Sequence, residues 1–327
     1  MTAGEPIDPI YLPHSVALLK KHFAPVHGDN TNERTERHLD YYLTSAANRA
    51  GRVAGTHSGE GHVDAHEERL VQQMEKDERF WVVAALMGLF HHGDPIDNFS
   101  RALEAAQVAP TFGGHKTWHD ALGDPNKLEL YFEANLPSPS GYSKLDLTQL
   151  QEHLNQKMLA IPHLLEKAAT TKGLEGTTKV DALLISRETH TAVLFEAKVL
   201  ADMSVGTSYD ITRNQMLRNI DVMLEGGNGS RNLEEPLKSR DPDKTCFVLL
   251  TPEVFRRNKS TRLYGLLYDL YKQNPGLLEG QLDRDDRAGK LSGVHGRLGW
   301  LTWEDCYGID HGACPWLNRT NSSFLEH

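Results

Sequence analysis

Three charged residues stand at the ends of two strand-like apolar runs. Asp181 lies near the start of "VDALLIS", and Glu196 and Lys198 lie near the end of "TAVLFEAK". An unpaired charge in such a run would be costly to bury. The linking segment, residues 187–190, has the length of a hairpin loop, so the start of the first strand should lie beside the end of the second. We therefore expect all three charges at one end of a sheet, with Glu196 and Lys198 on the same face.

This charge pattern suits a divalent cation. Two converging carboxylates repel each other unless a cation lies between them. Mg²⁺, or Mn²⁺ in its place, binds carboxylate oxygens and keeps several of its waters. Lys198 beside the metal could orient a water or help to deprotonate it, while the metal itself lowers the pKa of that water. The pattern therefore indicates hydrolysis of phosphodiester bonds, and the alternative is a simple salt bridge at the rim of a sheet.

The same residues resemble a known family motif. Asp181 followed by Glu196-Ala197-Lys198 at the end of the next strand is similar to the motif of the PD-(D/E)xK nuclease superfamily, which has the restriction-endonuclease-like fold. The resemblance implies that Asp181, Glu196 and the backbone carbonyl of Ala197 hold the metal and that Lys198 lies near the attacking water. It also implies a catalytic role for Gln215, because several branches of the superfamily have a glutamine near the start of the following helix.

The chain departs from the superfamily pattern before the second motif. Val180 replaces the proline of the nominal motif, and the segment directly before Asp181 has the composition of a loop. We expect "LELYFEANL" to be the strand that the superfamily places first, which would bring Glu133 towards the metal. The alternative makes the helical stretch after that strand the opening helix of the fold, with Glu152 or Glu166 as the additional acid.

Substrate contacts are expected from basic residues near the same end of the sheet. Net charge is −10, and a nucleic-acid-binding protein usually has a basic surplus. A nucleic-acid substrate therefore requires a local cluster of positive charge around Lys198. The candidates for phosphate contacts lie on the helix around Gln215 and in the basic run "FRRNKSTR", and the alternative for both is a solvated face. They are Arg213, Arg218, Arg256, Arg257, Lys259 and Arg262.

A histidine-rich segment in the first half competes for the metal. The stretch "THSGEGHVDAHEE" contains His57, His62, Asp64 and His66. His62 and His66 stand four residues apart, a spacing that can bind Zn²⁺ on a helix. The glycines within the stretch and the missing HExxH pattern favour a solvated loop. This segment is the basis of an alternative hypothesis, a histidine-based metallohydrolase.

The elements along the chain predict an α/β fold. Residues 1–120 read as a mostly helical region for recognition or dimerisation, and residues 121–325 as the nuclease-like domain with a helical insertion at 146–171. We expect a mixed central sheet of about four to five strands flanked by helices, as in restriction endonucleases. The apolar spacing predicts helices at His14–Phe23, Glu36–Ala50, Ala65–Gly93, Ile96–Val108, Tyr209–Gly227 and Ser260–Gly276.

These observations predict an Mg²⁺-dependent nuclease. DNA is favoured over RNA because more of the superfamily cuts DNA, and defence or nucleic-acid processing is the expected role. The sequence leaves the oligomeric state open, and a homodimer is one of the possibilities. A non-catalytic nucleic-acid-binding or assembly protein on the same fold is the other alternative. No apolar run approaches the ~20 residues that cross a bilayer. The three cysteines make no disulfide framework, and we see no secretory signal, so we expect a cytoplasmic protein with no membrane partner.

Overall fold

The described part of the protein contains a two-stranded ladder and a five-stranded sheet. The computed structural model describes residues 6–8, 12–23, 40, 78–136, 152, 178–204, 213–226, 239–282, 291, 293–314 and 317. The strands within these ranges are β1 (Pro6–Asp8), β2 (Leu12–Ser15), β3 (Leu128–Leu136), β4 (Thr178–Ser186), β5 (Ala192–Ala197), β6 (Thr245–Thr251) and β7 (Leu298–Thr302).

The five-stranded sheet is mixed. Its strands lie side by side in chain order, from β3 to β7. The β3–β4 and β4–β5 pairs are antiparallel, whereas the β5–β6 and β6–β7 pairs are parallel. A parallel pair needs a crossover connection, and the helices after β5 and β6 provide it. The α/β class and the mixed central sheet are thus confirmed, as is the hairpin between β4 and β5.

Helices cover both faces of this sheet. They are α1 (Val16–Lys21), α2 (Glu78–His91), α3 (Pro95–Ala105), α4 (Trp118–Leu122), α5 (Gln215–Met223), α6 (Glu253–Arg257), α7 (Leu263–Gln273), α8 (Pro275–Leu282) and α9 (Trp303–Ile309). Short 3₁₀ helices occur at Pro110–Gly113, Pro125–Lys127, Pro242–Lys244, Lys259–Thr261 and Val294–Arg297. No helix within the described ranges is long and apolar enough to cross a membrane.

Two apolar cores result, one on each face. Alternate residues of every strand point to opposite faces. Phe195 and Ala197 of β5 belong to the core beneath α2, α3, α4 and α9. Ala192 and Leu194 belong to the other core, beneath α5, α7 and α8. Helices α2 and α3 therefore share a core with the sheet, although the sequence analysis assigned them to a separate region of residues 1–120.

Several predicted helices begin or end elsewhere than expected. Helix α1 begins only after Ser15, whose Oγ accepts a hydrogen bond from the Leu18 amide at 3.3 Å, and His14 belongs to β2. Helix α5 begins at Gln215, because the Asn214 side chain caps it by accepting from the Leu217 amide at 2.9 Å. These caps satisfy amides that have no partner inside a helix.

The helix predicted at Ser260–Gly276 is two helices. Helix α7 ends at Gln273 and α8 begins at Pro275. The proline disfavours helical backbone in Asn274 before it, which breaks the run. Three predicted segments lie outside the described residues, apart from the single residues Asp40 and Glu152. They are the helix Glu36–Ala50, the insertion at 146–171 and the histidine segment.

Candidate functional site

The β4–β5 hairpin brings Asp181 beside Glu196. Ala182 pairs with Phe195 in the antiparallel register, so Asp181 lies level with Glu196 at the end of the sheet. The backbone amide of Ala197 donates to Asp181 Oδ2 at 2.7 Å. Glu196 alternates with Phe195 and Ala197, which face the other core, so its side chain stands on the side of the sheet that α5 covers. The two carboxylates therefore lie together at one end of the sheet, as the sequence predicted.

Glu196 accepts hydrogen bonds from three side chains. It is 1% exposed. Its Oε1 accepts from Lys198 Nζ at 2.8 Å and from Gln215 Nε2 at 2.5 Å. Its Oε2 accepts from Asn219 Nδ2 at 2.9 Å. The residues Lys198 and Gln215, which the sequence selected, therefore both contact Glu196. Asn219 was not selected, although its position one turn after Gln215 on the same helix could have indicated it.

A third carboxylate comes from the other side of the sheet. Glu78 is the first residue of α2. Its Oε2 lies 3.5 Å from Lys198 Nζ, and its Oε1 accepts a hydrogen bond from the Val199 amide at 3.4 Å. The sequence analysis did not select Glu78, which stands 120 residues before Lys198. The only local signal is an acidic residue at the start of a strongly apolar helix, which is a common helix feature.

The acids considered from the sequence lie elsewhere. Glu133 on β3 stands across from Asp181 but forms an ion pair with Lys179, and its φ of 57° interrupts the regular ladder at this point. Glu152 is exposed, and Glu166 lies outside the described residues. Among the described acids, Glu78 is therefore the one that joins Asp181 and Glu196 around Lys198.

Negative charge exceeds positive charge in this network. Burial raises the pKa of Asp181, and the charge of Glu196 raises it further, against the opposing effects of Lys198 and of the Ala197 amide. Burial likewise raises the pKa of Glu78, while Lys198 lowers it. Burial opposes the charge on Lys198, but Glu196, Asp181 and Glu78 together raise its pKa above the ordinary value. Lys198 is therefore held as an ammonium ion beside three acidic side chains.

The donor set fits a hard divalent cation. Carboxylate and carbonyl oxygens are the ligands that Mg²⁺ and Mn²⁺ prefer, and the raised pKa of Asp181 marks a place where further positive charge would be stabilising. Within the described ranges, no group of three or more His, Cys, Asp or Glu residues is arranged to hold a metal ion. A metal here would therefore depend on Asp181, Glu196 and the carbonyl of Ala197.

Two of the predicted phosphate contacts lie on or just before α5. Arg213 is fully buried and forms an ion pair with Asp221 at 2.8 Å. This placement differs from the exposed phosphate contact that the sequence predicted, since a buried guanidinium with a carboxylate partner does not face solvent. Arg218 is partly exposed, and its Nη2 donates to Thr178 Oγ1 at 3.4 Å. Arg218 thus lies beside the start of β4, close to the candidate site.

The basic run after β6 lies at the same end of the sheet as Lys198. Strands β5 and β6 are parallel, and Ala197 pairs with Leu250, so both strands end together. The carboxylate of Asp202 accepts from the amides of Leu263 and Tyr264 at 2.8 and 3.3 Å, which ties the segment after β5 to the start of α7. The position of the run is therefore suitable for a substrate contact.

Three of the four cations of this run have acidic partners. Arg256 pairs with Glu253 and Asp305, each at 2.6 Å. Arg257, whose side chain is 75% exposed, also contacts Glu253 at 3.0 Å, and Lys259 contacts Asp269 at 2.6 Å. The guanidinium of Arg262 lies 4.5 Å from the ring centre of Phe255. These ion pairs offset much of the positive charge that the sequence suggested for this surface.

Comparisons with known proteins give no relative for this chain. No family model, curated protein or solved structure matches it.

Proposed function

We propose that this protein is a metal-dependent nuclease that hydrolyses phosphodiester bonds on a restriction-endonuclease-like fold. The observation that carries the proposal is the meeting of Asp181, Glu196, Lys198 and Gln215 at one end of a mixed sheet. Burying this many polar groups side by side is costly for folding. Polar groups that are buried together at a cost in stability often belong to a functional site.

Asp181, Glu196 and the backbone carbonyl of Ala197 would hold Mg²⁺ or Mn²⁺. A bound ion of this kind would lower the pKa of a coordinated water and polarise the phosphodiester. All three donors are hard oxygen atoms, with no thiolate or imidazole among them, so Zn²⁺ should not support activity. The amide N–H of Ala197 donates to Asp181, which keeps the backbone of Ala197 next to the carboxylate.

Lys198 serves in this proposal as a hydrogen-bond donor. The surrounding carboxylates raise its pKa, so at neutral pH it keeps its proton and orients a water or stabilises the charge that develops on the phosphate. Gln215 helps to hold the shared oxygen of Glu196, and its own Oε1 accepts from the Ser204 amide at 3.4 Å. The side chain of Gln215 thus links the site to the segment after β5.

The substrate is proposed to be DNA in preference to RNA. Arg218, Arg256, Arg257 and Lys259 are at least partly exposed, and these would contact phosphates. Defence against foreign DNA or nucleic-acid processing is the corresponding role, in the cytoplasm. Residues 1–120 would then serve target recognition or homodimer formation.

The direct test is incubation of plasmid DNA and of a structured RNA with the purified protein and Mg²⁺, Mn²⁺, Zn²⁺ or EDTA. We expect cleavage with Mg²⁺ and Mn²⁺, and none with EDTA or with Zn²⁺ alone. Elemental analysis of protein purified without chelator is the companion measurement. Stoichiometric Zn²⁺ that is lost on mutation of His62 and His66 would instead move the chemistry to the histidine segment.

One observation favours a second candidate, a non-catalytic nucleic-acid-binding protein on the same fold. Lys198 already forms ion pairs with Glu196 and Glu78, so part of the negative charge is neutralised without a metal. DNA binding that is unaffected by EDTA, together with no cleavage under any metal condition, would support this candidate over the nuclease.

A further inference from the structure

Asn219 is a fully buried polar residue of α5. It is 0% exposed and lies among the buried side chains of α5, which include Met216, Ile220 and Met223. A buried amide is costly unless it is hydrogen-bonded. Its Nδ2 donates to Glu196 Oε2 at 2.9 Å. Residues four apart on a helix lie on one face, so Gln215 and Asn219 approach the same carboxylate.

The two oxygens of Glu196 differ in the number of donors that they meet. Oε1 accepts from Lys198 and from Gln215, and Oε2 accepts from Asn219. A carboxylate oxygen has about two acceptor positions. The donors on Oε1 therefore use both of its positions, whereas Oε2 keeps one. A cation that binds Glu196 without displacing these donors would use Oε2.

We infer that Asn219 is a positioning residue that holds Glu196 so that its Oε2 is presented to a divalent cation. This inference rests on the proposed nuclease function and adds the residue that sets the geometry of its metal ligand. The role differs from helix stabilisation, because Asn214 caps α5. It also differs from general core packing, because Asn219 Oδ1 meets no hydrogen-bond partner among the described residues. The amide thus contributes its N–H to Glu196.

The experiment compares the wild type with Asn219→Leu, which keeps a similar side-chain size and removes the donor. Mn²⁺ binding is measured by isothermal titration calorimetry, and DNA cleavage is measured as a function of Mg²⁺ concentration. Loss of a hydrogen bond to a metal ligand weakens metal affinity by ~10–100-fold. We expect a loss of this size in Mn²⁺ affinity, with the cleavage rate approaching that of the wild type when Mg²⁺ is saturating.

Two further variants separate positioning from stability. Asn219→Ala should show the same loss of metal affinity, which keeps the test valid if the leucine side chain does not fit. Asn98→Ala removes a buried asparagine whose Nδ2 donates to the Leu89 and His92 carbonyls at the end of α2. It should lower the melting temperature and leave the Mn²⁺ affinity unchanged.

The outcomes distinguish this inference from the proposed function. If the wild type binds Mn²⁺ and both Asn219 variants bind it equally well, Asn219 does not position the ligand, and the nuclease proposal stands. If all three asparagine variants lose metal affinity in parallel with stability, the role of Asn219 is structural only. If the wild type binds no Mn²⁺ and cleaves nothing, the nuclease proposal and the inference fall together.

Discussion

Lys198 at the end of β5 is surrounded by more negative charge than it can neutralise. Glu196 lies 2.8 Å and Glu78 3.5 Å from its ammonium group, and the charge of Asp181 also acts on it. Three acidic side chains outnumber the one ammonium group, and burial together with this surplus of acidic groups raises the pKa of Asp181. At the scale of the residue, this surplus is what makes the site a candidate for a metal ion, and it leads to two predictions.

Lys198→Ala and Asp181→Ala should each abolish cleavage while the fold is kept. Removal of a metal ligand or of the group that orients the water should cost at least ~10²-fold in rate. Single-turnover cleavage of a DNA substrate measures the rate, and circular dichroism measures the fold. Lys127→Ala is the matched control, because Lys127 is exposed. Two variants that cut like the wild type would show that the site is wrongly assigned.

Asp181→Asn should stabilise the metal-free protein. The folded protein raises the pKa of Asp181 above its ordinary value, so the folded state holds this proton more tightly than the unfolded state does. The stabilisation from the proton is present at low pH and is lost as the pH rises through the folded pKa. At neutral pH folding therefore requires Asp181 to take up a proton that the unfolded chain does not hold, and asparagine avoids that cost.

The measurement is the melting temperature in EDTA and in Mg²⁺, with Asp97→Asn as a control at a half-exposed carboxylate. We expect a higher melting temperature for Asp181→Asn in EDTA, and stabilisation by Mg²⁺ in the wild type alone. A lower melting temperature in EDTA would mean that the ionised carboxylate is well satisfied without metal.

Helix α2 connects two polar clusters at the scale of the elements. Its first residue, Glu78, reaches Lys198, and its last residue, His91, meets the N-terminal elements β2 and α1. His22 Nδ1 donates to the Leu130 carbonyl at 2.7 Å, so its Nε2 is left to accept from His91 Nε2 at 2.8 Å. This hydrogen bond between the two rings requires that one of the two Nε2 atoms carries no proton.

The cluster continues through two more histidines. His14 of β2 lies with its ring centre 6.3 Å from that of His91 and 5.7 Å from that of His92. His92 Nδ1 in turn contacts Asp310 Oδ2 at 2.8 Å. Burial lowers the pKa of His14 and of His91 to about 4, with further lowering from the neighbouring histidines. Burial also lowers the pKa of His22.

Acid should therefore weaken the attachment of β2 and α1 to α2. A histidine whose folded pKa lies below 6.5 takes up its proton more readily when unfolded, so its stabilising contribution is complete above pH 6.5 and is lost as the pH falls towards 4. We expect the melting temperature to fall over this window, and hydrogen exchange at residues 14–23 to rise before the sheet unfolds.

His14→Phe should flatten this pH dependence, because phenylalanine keeps the ring and has no proton to accept. His119→Gln is the control, since the His119 side chain is 58% exposed and lies outside the cluster. Equal pH dependence in the wild type and in His14→Phe would mean that other groups cause the loss of stability in acid.

At the scale of the whole molecule, the charge of −10 opposes approach to a polyanion. The sequence predicted that the basic run after β6 would offset this negative charge at the DNA-binding surface. In the structure, most of those cations have a carboxylate partner. Arg256 joins α6 to α9 through Asp305, whereas Arg257 projects into solvent with a single contact to Glu253. These two neighbouring arginines should therefore have different functions.

Arg256→Ala should lower the free energy of unfolding by roughly 1–2 kcal/mol, because it removes charge-assisted hydrogen bonds that are partly shielded from water. Arg257→Ala should leave stability nearly unchanged. If DNA reaches this surface, the loss of the phosphate contact of Arg257 lowers the slope of log affinity against log salt by about one unit.

Fluorescence anisotropy with labelled DNA across a salt series measures that slope, and urea unfolding measures stability. An unchanged slope for Arg257→Ala would remove this surface from the DNA contact. An unchanged free energy of unfolding for Arg256→Ala would show that its ion pairs contribute nothing net.

Local patterns along the chain were sufficient to predict the parts of the site whose structure depends on near neighbours. Alternation along "VDALLIS" and "TAVLFEAK", with a hairpin-length loop between them, was enough to place Asp181 beside Glu196 and Lys198. Side-chain direction in a strand has a period of two residues, so register and facing follow from a short stretch of chain. Gln215 was selected through the resemblance to the PD-(D/E)xK superfamily, which implies a glutamine near the start of the following helix.

The distant groups that join these residues depend on how the helices pack on the sheet. Glu78 reaches Lys198 from a helix 120 residues earlier. Asn219 meets Glu196 because α5 packs on one particular face of the sheet. Arg213 is removed from the surface by its buried pairing with Asp221. No local pattern encodes these contacts, because they depend on which helix covers which face and on the free-energy cost of leaving a buried charge without a partner.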